Sequence, residues 1–282
     1  MNINAQTRLC LLLGKPVNHS LSPALHNAGF RALGLNYAYL AAEVGEEMVG
    51  DAVKGLKALS VAGANVTTPF KKAVIPFLDS ISEQAGVIQS VNTIVNRNGN
   101  LFGTSTDGPG FYNFLKESAP EFNLDQPAML VGAGGAARAV AYTLAHEGIS
   151  ELYVVNRSPG KAEELAGTLE AATPLKSCST LSLDIEQLQP VIKRCRLFIY
   201  SLPLDSKEFM GALVKSGLPF EESLVCDLRY SPAETAVMEL FASMGGRSFN
   251  GLGMLLGQAA LSFELFTGQK APAVEMKQAI KI

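Results

Sequence analysis

Met129-Leu130-Val131-Gly132-Ala133-Gly134-Gly135-Ala136-Ala137-Arg138 places a short apolar run directly before a glycine-rich turn and an alanine-rich helix. Gly132 permits the tight turn, Gly134 lets the backbone approach a pyrophosphate, and Ala137 allows the helix to pack closely on the strand. Free N–H groups at the helix start, with about half a positive charge from the helix dipole, then face the phosphates. The stretch therefore predicts a dinucleotide site, contacted by Gly132, Ala133, Gly134, Gly135 and Ala136.

The end of the next strand indicates which dinucleotide is bound. The strand runs through Tyr153-Val154-Val155 into Asn156-Arg157-Ser158, with Lys161 close behind. NAD-binding units usually carry an acidic residue here, which accepts from the ribose 2′-hydroxyl. A carboxylate would repel a 2′-phosphate, whereas Arg157 and Lys161 can pair with one. Both could instead be solvated surface cations, but two cations and no acid favour NADP, bound by Asn156, Arg157, Ser158 and Lys161.

Apolar runs and helical patterns alternate on both sides of the turn. Before it, strands are expected at Arg8–Leu13, Tyr37–Glu43 and Val61–Val66, with helices at Pro23–Leu33 and Glu46–Leu59. The same alternation resumes after it. Strands alternating with helices predict an α/β fold. We expect two three-layer α/β/α domains: an N-terminal one with a mainly parallel sheet, and a C-terminal Rossmann-type one.

Composition sets limits on the class of protein. With 282 residues, the chain exceeds the usual size of one domain. A net charge of -3 gives no reason to expect a nucleic acid partner, and no apolar run is long enough to cross a bilayer. The N-terminus lacks the pattern of a signal peptide. Four scattered cysteines argue against a metal site and indicate a reducing, cytoplasmic location.

Polar segments follow the apolar runs of the first hundred residues, where a parallel sheet has its ligand crevice. In Asn65–Lys71, Asn65 and Thr67 offer donors and acceptors to a polyhydroxylated ligand. In the loop Gly103–Gly108, Asp107 could hold the Lys71 ammonium, which would then protonate a carbonyl oxygen as hydride arrives. A lone Lys and a lone Asp are usually surface residues, however, and no spacing rule brings these two together.

The third polar segment is His19–Pro23. Its two serines could bind a carboxylate near a helix start, where the helix dipole assists. Alternatively, Ser22 is a helix N-cap before Pro23. His19 and His26 are expected to be structural.

These segments in this order resemble the shikimate dehydrogenase family over essentially the whole chain. The matching segments are Gly14-Lys15-Pro16 through Pro23 with His26-Asn27, Asn65 through Lys71, Ser90-Val91-Asn92-Thr93, Thr106-Asp107-Gly108, Gly132–Arg138 with Asn156-Arg157, and Gly251 through Gln258. The resemblance implies reversible reduction of 3-dehydroshikimate to shikimate with NADPH, in aromatic amino-acid biosynthesis.

The resemblance also implies roles for individual residues. Lys71 and Asp107 would be the catalytic pair, and Ser20 and Ser22 would hold the substrate carboxylate. The ring hydroxyls would contact Asn65, Thr67, Asn92, Asp107 and Gln258, and Lys71 would also bind the substrate. Tyr230 matches a substrate-binding tyrosine, and Gly251 joins the cofactor set. The C-terminal helices would belong to the first domain, which gives a substrate domain at 1–108 plus 252–282 and an NADP domain at 109–251.

Two departures from the family pattern stand out. Thr104-Ser105 replaces a Tyr-Asn pair before Asp107. Tyr200-Ser201-Leu202 replaces an Asn-Ala-Thr stretch that usually lines the nicotinamide, and Asp205-Ser206 replaces the Gly-Met that follows. The second departure puts the placement of the nicotinamide in question.

Two alternatives stay open. One is a quinate/shikimate dehydrogenase with relaxed substrate or NAD use; the other is a non-catalytic member that binds a metabolite. The paired serines favour shikimate, and the retained Lys71 and Asp107 oppose a non-catalytic role. A monomer and a homodimer both suit the architecture.

Overall fold

Within residues 3–280, which the computed structural model describes, the strands form two six-stranded sheets. The first part of the chain contains β1 (Arg8–Gly14), α1 (Ser22–Ala32), β2 (Tyr37–Glu43), α2 (Val49–Ala58), β3 (Gly63–Val66), β4 (Ser80–Ile81), α3 (Glu83–Ile88), β5 (Thr93–Arg97), β6 (Asn100–Thr104) and α4 (Asp107–Ser118). The second part contains β7 (Ala128–Val131), α5 (Gly135–His146), β8 (Glu151–Val155), α6 (Pro159–Ala172), β9 (Ser177–Leu181), α7 (Ile185–Ile192), β10 (Leu197–Tyr200), α8 (Lys207–Lys215), β11 (Leu224–Asp227), α9 (Ala236–Ser243), β12 (Arg247–Phe249), α10 (Leu252–Thr267) and α11 (Ala273–Gln278).

The chain divides into two units, with the division inside α4 and α10. One unit comprises the chain up to Gly110 and from Leu255 onward, and the other comprises Phe111–Met254. These limits lie within three residues of the predicted domain boundaries. The assignment of substrate to one unit and NADP to the other stays a prediction.

The sheet of the first unit has the order β2-β1-β3-β5-β6-β4. Strand β1 is parallel to β2 and β3, and β4 is parallel to β6, whereas β5 is antiparallel to β3 and β6. The β5–β6 hairpin was absent from the sequence-based prediction. Its turn is Asn98-Gly99, both at positive φ, which is a common hairpin signal and could have revealed it.

The sheet of the second unit is entirely parallel, in the order β12-β11-β10-β7-β8-β9. Alternate residues of its strands enter two different core clusters: Leu130 and Val154 pack on one face, whereas Met129 and Tyr153 pack on the other. Because side chains alternate along a strand, apolar residues at every position bury both faces of the sheet. The prediction of a three-layer Rossmann-type unit within an α/β protein is thereby confirmed.

Two local predictions were wrong. Ser22 is not an N-cap, because helix α1 is capped at Leu21 and already includes Ser22. The segment Gly103–Gly108 is not a continuous loop, since β6 ends at Thr104 and α4 begins at Asp107. Among the helices of residues 3–280, none has the length and apolar character needed to cross a membrane.

Candidate active site

The centre of the site in the first unit is an ion pair between Lys71 and Asp107. Lys71 follows β3, and Asp107 opens α4, where the helix dipole favours a carboxylate. Lys71 Nζ lies 2.5 Å from Asp107 Oδ2, and the two side chains are 17% and 6% exposed. The two residues therefore meet, although they are 36 positions apart.

Asn92 fixes the orientation of the Asp107 carboxylate. Its Nδ2 donates to Asp107 Oδ1 at 2.8 Å, and its Oδ1 accepts from the backbone N–H of Thr106 at 2.8 Å. One carboxylate oxygen is thus bound by Asn92, and the other is presented to Lys71. Thr104, the last residue of β6, donates to Ser82 Oγ at 3.0 Å, which stabilises the end of this strand just before Asp107.

A buried polar network extends from this pair to Asn65. Asn65 Nδ2 donates to Thr93 Oγ1 at 3.0 Å and to Ser262 Oγ at 2.9 Å, and Ser262 lies 3.1 Å from Thr106 Oγ1. Because buried polar groups are costly when unpaired, a satisfied network of this kind makes the site rigid. Sequence reasoning missed Thr93, Thr106 and Ser262 as site residues. Ser262 lies one helical turn after Gln258, a spacing that could have identified it.

Gln258 is positioned by a close contact between α4 and α10. A Cβ at Gly110 would lie 2.4 Å from the Gln258 backbone nitrogen, and a Cβ at Gly257 would lie 2.4 Å from Gly110 oxygen. The two helices therefore touch backbone to backbone. Gln258 Oε1 then comes to 3.4 Å from Asn92 Nδ2, and Gln258 joins the same cluster.

Tyr39 connects Asn65 to the serine segment. Its hydroxyl donates to Asn65 Oδ1 at 2.8 Å. Burial holds the Tyr39 pKa well above its usual value, although the nearby Ser22 side chain partly opposes this rise, so the hydroxyl keeps its proton and can donate. Ser20 Oγ accepts from the Ser22 backbone N–H at 3.3 Å. The predicted serine pair and Asn65 are therefore brought together, through a tyrosine that sequence reasoning did not select.

His26 lies beneath this cluster and has no hydrogen-bond partner among the described residues on either ring nitrogen. Its ring stacks on Tyr39 with centroids 4.3 Å apart. Complete burial lowers the His26 pKa to about 3. His26 is therefore neutral at neutral pH, which fits the structural role expected of it.

A cavity of about 470 Å³ opens at the carboxyl end of the sheet in the second unit. Its lining includes Gly132, Ala133, Gly134, Asn156, Arg157, Ser158, Lys161 and the loop from Ser201 to Ser206. Gly132 has a φ of 117°, and a Cβ there would lie 3.2 Å from the Ser201 backbone. Gly134 is the N-cap of α5, so the free N–H groups of Gly135 and Ala136 open the helix at this turn.

Two cations lie at the edge of this cavity. Arg157 and Lys161 are exposed at its edge, and neither has an ion pair within the part of the chain that is described. Both ammonium and guanidinium groups are thus available to an anionic ligand. Asn156 is buried and donates to Ser158 oxygen at 3.0 Å, which fixes the turn that presents them.

Within residues 3–280, three further predicted site residues, Thr67, Tyr230 and Gly251, are not among the residues that the hydrogen bonds and the cavity described above bring together. Thr67 follows β3 and is half-buried, with its backbone N–H bonded to Leu13 oxygen at 2.9 Å. Tyr230 belongs to the second unit. Gly251 does not line the cavity; a Cβ there would lie 2.2 Å from Leu228 oxygen, so close packing already accounts for the glycine. The ligand contacts predicted for these residues stay predictions.

Three family models match the chain. They describe a shikimate dehydrogenase substrate binding domain over residues 12–94, a shikimate/quinate 5-dehydrogenase over residues 116–201, and a shikimate 5′-dehydrogenase C-terminal domain over residues 251–281.

Relatives match along the full length. The NADP(+) shikimate dehydrogenase of Desulforamulus reducens is 42% identical, covering 99% of this chain and 96% of its own length. That of Alkaliphilus metalliredigens is 40% identical, covering 99% and 98%. The crystal structure of shikimate 5-dehydrogenase from Listeria monocytogenes, in complex with shikimate and NAD, is 34% identical, with a TM-score of 0.90 over 99% of this chain and 98% of that one.

Proposed function

This chain belongs to the shikimate dehydrogenase family, and from that premise we propose that it reduces 3-dehydroshikimate to shikimate, reversibly, with NADPH. The observation that carries the proposal is the Lys71–Asp107 ion pair, held by Asn92 inside a buried polar network. Full-length relatives with this activity support the same reaction. The chain would thus be an oxidoreductase of the pathway to aromatic amino acids.

The polar network provides the groups that would orient the substrate. Ser20 and Ser22 would donate to the carboxylate, and Asn65, Thr67, Asn92 and Gln258 would contact the ring hydroxyls. Asn65 and Asn92 are held by hydrogen bonds within the protein, so these two side chains keep their positions without a ligand. Sites that are already ordered lose less freedom on binding.

Lys71 would provide the proton of the reaction. Bound NADPH supplies the hydride that the ketone carbon accepts. The Lys71 ammonium donates a proton from Nζ to the carbonyl oxygen, which becomes the hydroxyl of the product. Asp107 holds the ammonium at the pair distance of 2.5 Å and stabilises its charge before the transfer. In the reverse direction, the neutral amine accepts the same proton.

The cofactor assignment rests on the cavity of the second unit. Gly132, Ala133, Gly134, Gly135 and Ala136 would hold the pyrophosphate, and Asn156, Arg157, Ser158 and Lys161 would hold the 2′-phosphate. Arg157 supports NADP over NAD because an unpaired guanidinium can bind a phosphate through two hydrogen bonds. Tyr230 would contact the substrate and Gly251 the cofactor.

The remaining parts of the proposal concern location and partners. All four cysteines are free and buried, which suits a reducing compartment such as the cytoplasm. The small negative net charge of -3 does not favour a nucleic acid partner. A homodimer is compatible with the proposal.

The test is to add shikimate and NADP to the purified protein and to follow NADPH absorbance. We expect NADPH to form with shikimate and NADP at a higher kcat/KM than with quinate or with NAD. A preference for quinate with NAD would replace the proposal by a quinate dehydrogenase. No turnover with any of the four combinations would indicate a non-catalytic family member.

A further inference from the structure

The hydroxyl of Tyr200 closes a loop at the carboxyl end of β10. Tyr200 ends β10 and is fully buried in the core of the second unit. Its hydroxyl donates to Leu204 oxygen at 2.8 Å and accepts from the Ser206 backbone N–H at 2.8 Å. Ser206 then caps α8, accepting from the Phe209 N–H. One hydroxyl therefore holds both the tip and the end of the loop formed by residues 201–206.

Arg229 ties the same loop to strand β11. Its guanidinium carbon lies 5.1 Å from the centroid of the Tyr200 ring. Arg229 Nη2 pairs at 2.6 Å with Asp205 in the loop and at 2.6 Å with the fully buried Asp227 at the end of β11. Asp205 lines the cavity, where a lone carboxylate would repel a phosphate-bearing ligand. Pairing with Arg229 reduces that repulsion and ties the loop to β11.

The strand order shows which half of the cofactor this loop would meet. Strand β10 lies on one side of β7, and β8 lies on the other. The glycine turn after β7 is therefore flanked by Asn156–Lys161 on the β8 side and by the loop 201–206 on the β10 side. A dinucleotide whose 2′-phosphate is held on the β8 side extends its nicotinamide half towards the β10 side.

We propose that the Tyr200 hydroxyl is a positioning group, which holds the loop 201–206 as a preformed wall for the nicotinamide half of NADP. The proposal rests on the proposed function for the identity of the cofactor. Without the hydroxyl, the loop would lose both of these hydrogen bonds and keep only the Arg229–Asp205 pair, so the ligand would have to order the rest of it. That ordering would weaken binding of the whole dinucleotide. Binding of the adenosine half alone would be unaffected.

The test compares Tyr200→Phe with Tyr153→Phe. The first substitution removes the hydroxyl and keeps the ring against Arg229. The second is a matched control, since Tyr153 is another buried tyrosine of the same sheet, and its hydroxyl bonds to Glu151, away from the cavity. Calorimetry would measure the Kd of NADP and of adenosine 2′,5′-bisphosphate for both variants and the wild type. Hydrogen exchange would measure the protection of the Ser206 amide.

We expect Tyr200→Phe to raise the Kd of NADP about tenfold, the effect of losing one to two neutral hydrogen bonds. The Kd of adenosine 2′,5′-bisphosphate should change less than about twofold, because that fragment does not reach the loop. Exchange at Ser206 should become faster in Tyr200→Phe only. In Tyr153→Phe, both Kd values should stay within about twofold of the wild type.

Several outcomes would overturn the inference. An unchanged NADP Kd in Tyr200→Phe removes the positioning role, while turnover of shikimate by the wild type leaves the proposed function intact. Equal weakening in both variants, or weakening of the fragment as well, indicates a general loss of structure instead. Weaker NADP binding in Tyr200→Phe, with no shikimate turnover by the wild type, supports the positioning role and rejects the proposed substrate.

Discussion

Lys71 is oriented by its immediate partners, Asp107 and Asn92. Lys71 is held by Asp107, whose other oxygen is bound by Asn92, so the ammonium is presented in one orientation. The neighbouring Lys72 is exposed. Two adjacent lysines on the same turn therefore differ in their surroundings, because only the first is paired with a buried carboxylate.

The Lys71→Ala variant is expected to lose turnover far more than substrate affinity. Removing the proton donor should lower kcat by about 10²–10⁴-fold, the usual contribution of general acid catalysis. The KM for shikimate should rise much less, because the other polar groups remain. Steady-state kinetics would measure both constants, with Lys72→Ala as the control. A kcat close to that of the wild type would remove Lys71 from the mechanism.

At the scale of elements, the segment between β8 and α6 presents Arg157 to the cavity, and the first turn of α6 presents Lys161. The Arg157→Ala variant is expected to raise the Kd of NADP about 10–100-fold, since it removes a charge-assisted hydrogen bond to phosphate. Binding of NAD should be nearly unchanged. Lys176→Ala, which removes an exposed cation of the same unit away from the cavity, is the control for net charge. Equal losses for NADP and NAD would contradict the assignment.

The contact between α4 and α10 depends on two glycines. Gly257→Ala would place a Cβ against the backbone oxygen of Gly110, which cannot move as a side chain can. We expect the free energy of unfolding to fall by about 1–3 kcal/mol. Gly55→Ala makes the same change inside α2, where a Cβ meets open space, and should be stabilising by about 0.5–1 kcal/mol. Urea unfolding would measure the change in the free energy of unfolding for both variants. A change of the same sign in both would contradict the close contact proposed at Gly257.

For the whole molecule, His26 should make stability depend on pH. The folded pKa of about 3 lies below the usual 6.5, so only the unfolded chain gains a proton between these values. The free energy of unfolding should therefore be undiminished above about pH 6.5 and should fall by up to about 1.4 kcal/mol per pH unit below it. His26→Phe should reduce this slope, and His19→Gln, at an exposed site, should not. Unfolding curves at several pH values would measure the slopes.

The sequence reveals those features that are local along the chain. The turn at Gly132 and the cations after β8 lie within one βαβ unit, so periodicity and motif spacing were enough to predict them. The polar network depends on contacts across long separations: Asn65 and Ser262 are 197 positions apart. No local pattern shows that α10 returns to β3, or that Tyr39 joins Ser22 to Asn65. Family resemblance supplied Gln258, but not the buried hydroxyls around it.

The Asn92 amide has a consequence for how a ligand enters the site. Its nitrogen carries two hydrogens, yet three acceptors surround it: Asp107 at 2.8 Å, Thr106 at 3.0 Å and Gln258 at 3.4 Å. Two hydrogens cannot make full hydrogen bonds to three acceptors. The longest of the three contacts, to Gln258 Oε1, is therefore the weakest. Under the proposed function, a substrate hydroxyl would bond to Gln258 Oε1 without displacing the Asn92 bond that holds Asp107.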